Sequence, residues 1–104
     1  MIYSTRLKVI ETESGHQLMC EIRHPMEPGG RRDKATGRLL PANYITQVVF
    51  RVNEEIRAEM LLGKYVSKNP IVGTMVSKLS GGDRIIVSWQ DIAGDSGQAS
   101  VQVE

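Results

Sequence analysis

Along most of this chain, apolar and polar residues alternate one for one, and that rhythm restricts it to strands. In "HQLMCEIR" (16–23), Leu18, Cys20 and Ile22 fall on one side, with Gln17, Glu21 and Arg23 on the other. "YITQVVFRV" (44–52) sets Tyr44, Thr46, Val48, Phe50 and Val52 against Ile45, Gln47, Val49 and Arg51. "EIRAEML" (55–61) groups Ile56, Ala58 and Met60; "RIIVSWQ" (84–90) groups Ile85, Val87 and Trp89; "QASVQVE" (98–104) groups Ala99, Val101 and Val103. Successive side chains of a strand point to opposite faces, so each run reads as a strand with one face on a core.

Two weaker runs, "STRLKVI" (4–10) and "IVGTMVSKL" (71–79), complete the set, the second interrupted by Gly73. Turn signals separate the runs: "ESG", "VNEE", "SKNP", "SGGD" and "AGDSG". The segment "NEEIRAEMLLGK" also admits a helix, with Ile56 and Met60 four apart and Gly63 as its stop. The hairpin-sized gap between Val52 and Ile56 favours a strand. About seven strands without a convincing helix predict an all-β fold: an immunoglobulin-like antiparallel β-sandwich forming a single domain, 1–104. Ile45 and Val49 fall opposite Val48 and Phe50, which predicts an exposed apolar patch and self-association.

The totals narrow the function. Thirteen Lys and Arg against twelve Asp and Glu give a net charge of +1, too little to hold nucleic acid or an anionic membrane. No apolar run approaches the about 20 residues of a membrane-crossing helix. The single cysteine excludes an internal disulfide and a cysteine-built zinc site. The opening "MIYSTRLKVI" lacks the apolar core of a secretory signal.

One stretch departs from the strand pattern. "HPMEPGGRRDKATGRLLPANY" (24–44) holds three of the four prolines, three glycines, and four cations between Arg31 and Arg38. Connections longer than about 12–15 residues are uncommon in compact domains and usually functional or disordered. Met26, Leu39, Leu40 and Tyr44 frame it with apolar groups, which predicts a segment folded onto the body or a partner. Asp33 among the cations argues against a plain phosphate stripe.

No catalytic constellation emerges. Cys20 and His24 on one strand face would stand roughly 13 Å apart, at about 3.3 Å per residue, beyond nucleophile–base contact. Cys20 reads as a small buried hydrophobe beside Leu18 and Ile22, and Trp89 as a core tryptophan. Asp91 and Asp95 read as exposed turn carboxylates too few for a calcium loop. His16, Met19, His24 and Met26 offer a soft nitrogen–sulfur set, the basis of an alternative reading as a periplasmic copper-binding sandwich.

Across nearly its whole length the sequence resembles the SoxZ family of the bacterial sulfur-oxidising system. The resemblance is carried by "HPMEPGGRRDKATGRLLPANYI", by Asn69–Pro70 and by "WQDIAGDSG" from Trp89. His24, Pro25, Met26, Glu27, Gly29, Arg32, Asp33, Gly37 and Pro41 match the family's pattern in order. Two departures are local: Ala93 stands where an acidic residue is common, and Asn53–Glu54 replaces the usual Asn-Gly. The resemblance implies an immunoglobulin-like sandwich with no enzymatic activity and no cofactor or metal. It implies pairing with a SoxY-like sulfur carrier as heterodimer or heterotetramer, with transient contacts to other Sox enzymes and none to nucleic acid or membrane. It implies a periplasmic location reached by export together with that partner. The residues it marks for partner binding are His24, Met26, Glu27, Arg31, Arg32, Asp33, Pro41, Tyr44, Asn69 and Pro70.

Overall fold

The computed structural model describes residues 3–104 and contains strands, turns and bends but no helix among them. The strands are β1 (Thr5–Thr12), β2 (Gly15–Ile22), β3 (Ile45–Val52), β4 (Glu55–Leu61), β5 (Ile71–Val76), β6 (Arg84–Asp91) and β7 (Ser96–Gln102). They form two antiparallel sheets, ordered β1-β2-β5 and β4-β3-β6-β7, packed as the expected immunoglobulin-like sandwich. The ambiguous 55–61 segment is strand β4.

The core lies where the alternation places it. Leu18, Cys20 and Ile22 of β2 meet Val48, Phe50 and Val52 of β3 and Ile85, Val87 and Trp89 of β6. Within the larger sheet, register sets Val48 beside Trp89, Phe50 beside Val87 and Val52 beside Ile85. Each fully buried apolar side chain of this size contributes about 1.5–3 kcal/mol, so these nine set most of the sandwich's cohesion.

Two bulges shift the phase of the alternation. Ile45 pairs with Asp91 while Gln47 pairs with Gln90, leaving Thr46 as an extra residue. Ile45 therefore turns into the core, fully buried, and Tyr44 is left half-buried outside the strand. A second irregularity pairs Phe50 with Ala58 but Arg51 with Ile56, so Arg57 is the extra residue. Ile56 is thereby carried off the core face and is 51% exposed. The patch expected around Ile45 and Val49 does not exist, because both are buried; the exposed large apolar residues include Leu39, Leu61, Tyr65, Ile71 and Met75.

The β3–β4 turn has positive φ at both central residues, Asn53 (49°) and Glu54 (72°), as a two-residue hairpin requires. Asn53 is tied in on both sides: its Oδ1 accepts from Arg84 N–H (2.9 Å) and its Nδ2 donates to Asp83 (2.9 Å). Glu54 has no such compensation for a conformation that suits glycine. Replacing Glu54 by Gly is expected to stabilise the protein by about 0.5–1 kcal/mol in urea unfolding.

Burial pushes the Cys20 thiol up from 9.0 to about 12. In the unfolded chain the thiol ionises near its ordinary value, so the folded state holds its proton more tightly. That contribution to stability is complete below about pH 9 and is lost as pH rises toward 12. A thiol reagent at pH 8 should leave native Cys20 unmodified and react fully in denaturant, and the urea midpoint should fall above pH 9.

Candidate functional site: a braced cationic arm

The 24–44 segment is an ordered two-legged arm. Glu27 and Asn43 exchange main-chain hydrogen bonds (2.7 and 2.8 Å), and farther out Arg31 O accepts from Leu40 N–H and Asp33 N–H donates to Arg38 O (both 2.8 Å). At the tip, the Asp33 carboxylate accepts from Ala35 N–H (2.7 Å) and Thr36 N–H (3.1 Å). Gly37, with φ of 74°, closes the turn by donating to Asp33 O. Asp33 is thus the tip's cap, in the manner of an Asx turn. A compact chain of this length has a radius of gyration near about 13 Å. This chain is more extended than that, with a radius of gyration of 15.7 Å and extents of 53, 22 and 19 Å.

A buried polar assembly braces the arm's base. As β2 ends, Ile22 N–H donates to Pro70 O (3.1 Å), and His24 and Asn69 bond reciprocally: His24 N–H to Asn69 Oδ1, Asn69 N–H to His24 O (both 2.9 Å). Met26 N–H donates to His24 Nδ1 (3.0 Å), so the ring proton resides on Nε2. Nε2–H then donates to Asp91 Oδ2 (2.8 Å), and both side chains are fully buried. Asp91 Oδ1 accepts from Ala93 N–H (3.1 Å) and Asp95 N–H (2.8 Å). The ring sits 5.5 Å from Trp89, edge to face, and 4.6 Å from Tyr3. Trp89 Nε1–H donates to Thr5 Oγ1 (2.7 Å), over Gly97, whose hydrogen leaves the space that a methyl group would fill at 2.6 Å from Nε1. Met26 takes a φ of 49° and buries its sulfur, which accepts from Ile45 N–H (3.4 Å).

Asp91 corrects its sequence reading: it is the last residue of a strand, 7% exposed, and part of the brace. The expected partner-binding residues divide into two groups. His24, Met26 and Pro70 are buried, with Asn69 half-buried among them, so these four shape the arm's base from within. Glu27, Arg31, Arg32, Asp33, Pro41 and Tyr44 lie on the arm, and Arg31, Arg32 and Pro41 are exposed. Arg31 grips Glu27 (2.5 Å), holding that carboxyl below its usual range, and Arg32 Nη1 donates to Gly37 O (2.9 Å). Lys34 and Arg38, counted in the sequence among the four clustered cations but not marked for partner binding, have side chains engaged by no hydrogen bond or ion pair among the described residues. The ladder that delivers them to the tip is main-chain work with no periodic signature. Four cations against one carboxylate give residues 31–38 a charge of +3, which leaves −2 for the rest of a +1 chain.

A groove of about 540 Å³ runs between the arm and the β4–β5 loop, with Pro25 and Pro28 on one wall and Tyr65 on the other. Arg31, Lys64 and Lys68 line it as well.

Chemically, the His24–Asp91 pair has the partners of a general base without the access, since neither side chain touches solvent. Both ring nitrogens of His24 are engaged and the Met26 sulfur is buried, so the copper set of the sequence reading is not assembled. Among the described residues no group of three or more His, Cys, Asp or Glu side chains converges on one point.

A family model, Sulphur oxidation protein SoxZ, matches residues 9–102, a span that includes the arm, its brace and the core strands. The chain belongs to the SoxZ family. That membership assigns it to the Sox system of sulfur oxidation. A search of curated proteins found no match. The SoxZ-type features singled out in the sequence, His-Pro-Met-Glu and "WQDIAGDSG", meet in space as the two sides of the His24–Asp91 brace.

Asp91→Ala leaves a buried imidazole N–H and two turn N–H groups without their acceptor. It should cost about 3 kcal/mol in urea unfolding and speed hydrogen exchange at the Met26 amide.

Proposed function

We propose that this chain is the non-catalytic subunit of a sulfur-carrier complex, binding a SoxY-like protein and presenting its thiol-bound sulfur intermediate to the other Sox enzymes. The observation that carries the reading is the arm: a braced, rigid, cationic projection within the span matched to the family. A projection held at its base by a fully buried hydrogen bond loses little entropy on docking, which is the advantage of a preorganised contact. The strand faces supply the carrier interface, of the order of 1,600 Å² in a stable complex. The arm's free cations meet visiting enzymes, where exposed charges act mainly on encounter rate. The complex works in the periplasm, reached by export with the partner, and its own thiol stays out of the chemistry because burial keeps Cys20 protonated.

Lys34→Glu with Arg38→Glu reverses the tip's charge without touching the ladder or the brace. The thermal midpoint should stay within about 2 °C, since exposed charges contribute little stability. The carrier should still co-purify, while sulfur turnover by the reconstituted system slows at low ionic strength, and less so at high. Unchanged turnover at every salt concentration would remove the arm from this role, and loss of the carrier would move its binding site onto the tip.

A further inference from the structure

Residues 60–82 hold three lysines and no carboxylate, in a chain whose acids and bases are nearly balanced overall. Two of those lysines, Lys64 and Lys68, bracket Tyr65 in the β4–β5 loop, which forms one wall of the groove of about 540 Å³ beside the arm. The loop is held in place. Val66 packs on the core and its N–H donates to Gly63 O (3.2 Å), and Asn69 bonds the His24 main chain in both directions. The opposite wall is the arm's base, where Pro25 and Pro28 flank Met26, whose N–H is held by His24 Nδ1. Both walls are thus anchored to one histidine, one through its main chain and the other through its ring, so the groove is preorganised.

Its lining suits a ligand of mixed character. Tyr65 is 88% exposed, and Lys64 Nζ lies 5.3 Å from its ring centroid, a cation–π distance. With Pro25 and Pro28 it gives the groove apolar surface on both walls. Arg31, Lys64 and Lys68 bring three cations, and the one carboxylate among the lining residues, Glu27, is taken up by Arg31. Lys64 and Lys68 enter no ion pair among the described residues. A bare inorganic anion would leave the apolar walls unused and most of the volume empty, since about 300–1,000 Å³ is the size of sites for organic ligands. Nucleic acid is disfavoured by a net charge of +1. A peptide with carboxylates on either side of an apolar side chain matches both the charge and the walls.

We propose that this groove is a recognition site for an acidic, extended peptide segment of a partner protein. Carboxylates of the segment meet Lys64 and Lys68, and an apolar side chain between them rests against Tyr65 and the two prolines. Capture of acidic motifs by basic clusters is a recurring mode of peptide recognition, and exposed tyrosines are common anchors in such contacts. Charge complementarity selects the occupant: the groove is cationic and its only carboxylate is already engaged. The site does not depend on the carrier role, because Lys34 and Arg38 at the arm's tip are not part of its lining.

The test is an NMR titration of the full chain, at about 0.15 M salt so that distant charges are screened. The probe is an end-blocked nonapeptide with a leucine after every two glutamates. It should shift the amides of Lys64, Tyr65 and Ser67 saturably, with a Kd below about 1 mM. The same peptide with glutamine for glutamate, or with serine for leucine, should bind about tenfold more weakly or worse, because each removes one half of the match. Lys64→Glu with Lys68→Glu should lose at least about tenfold in affinity, and Tyr65→Ala about fivefold, with circular dichroism confirming an unchanged fold. Lys34→Glu with Arg38→Glu should stay within about twofold of wild type, since the tip lies outside the groove. Absence of saturable shifts, equal binding of the glutamine or serine peptide, or an equal response to sodium sulfate or an oligo-dT strand overturns the proposal. So does binding that survives the groove variants and is lost with the tip. Failure here leaves the carrier role of the arm standing, because that role is read from Lys34 and Arg38.

Discussion

The hydrogen bond from His24 to Asp91 is the contact on which the arm's position depends. It joins the residue that leaves β2 to the residue that ends β6, and so ties one sheet to the other at the end of the sandwich where both loops emerge. A carboxylate buried this deeply needs several donors to offset its lost hydration, and Asp91 has three: the imidazole and two turn amides. Because Met26 N–H occupies the other ring nitrogen, the same imidazole also dictates the first step of the arm's main chain. Met26 holds a left-handed φ there, a conformation that persists only where the surroundings over-determine it.

Strand identity was legible from alternation, and all seven runs became strands, the two weaker ones included. What alternation could not convey was phase. One extra residue at Thr46 and another at Arg57 exchanged which face Ile45 and Ile56 present, because a bulge leaves composition unchanged and alters only pairing. The arm shows the same divide. Its prolines, glycines and clustered cations marked the segment as special, yet its order rests on main-chain ladders and an Asx cap that have no periodic signature. His24 and Asp91, 67 positions apart, were not joined by any sequence signal, since neither residue alone distinguishes a buried brace from an exposed turn.

Cys20 gains meaning from the setting. Thiol exchange proceeds through the thiolate, and a thiol whose ionisation is pushed to about 12 supplies almost none at neutral pH. Its place at the centre of the core, fully buried between Leu18 and Ile22, adds a barrier of access. In the carrier role proposed above, an exposed thiol on this chain would draw the cargo off the carrier, and the burial of its one sulfhydryl prevents that.

The separation of +3 on residues 31–38 from −2 on the rest of the chain gives the molecule a permanent electric dipole with its positive end at the tip of the arm. A net charge of +1 leaves the chain nearly indifferent to whether it approaches a charged surface, but the dipole makes it sensitive to how. In the field of an acidic patch the molecule rotates before it touches, tip leading and core trailing. Encounters are thereby sorted by orientation within about a Debye length, and the arm, a small fraction of the surface, receives a disproportionate share of first collisions.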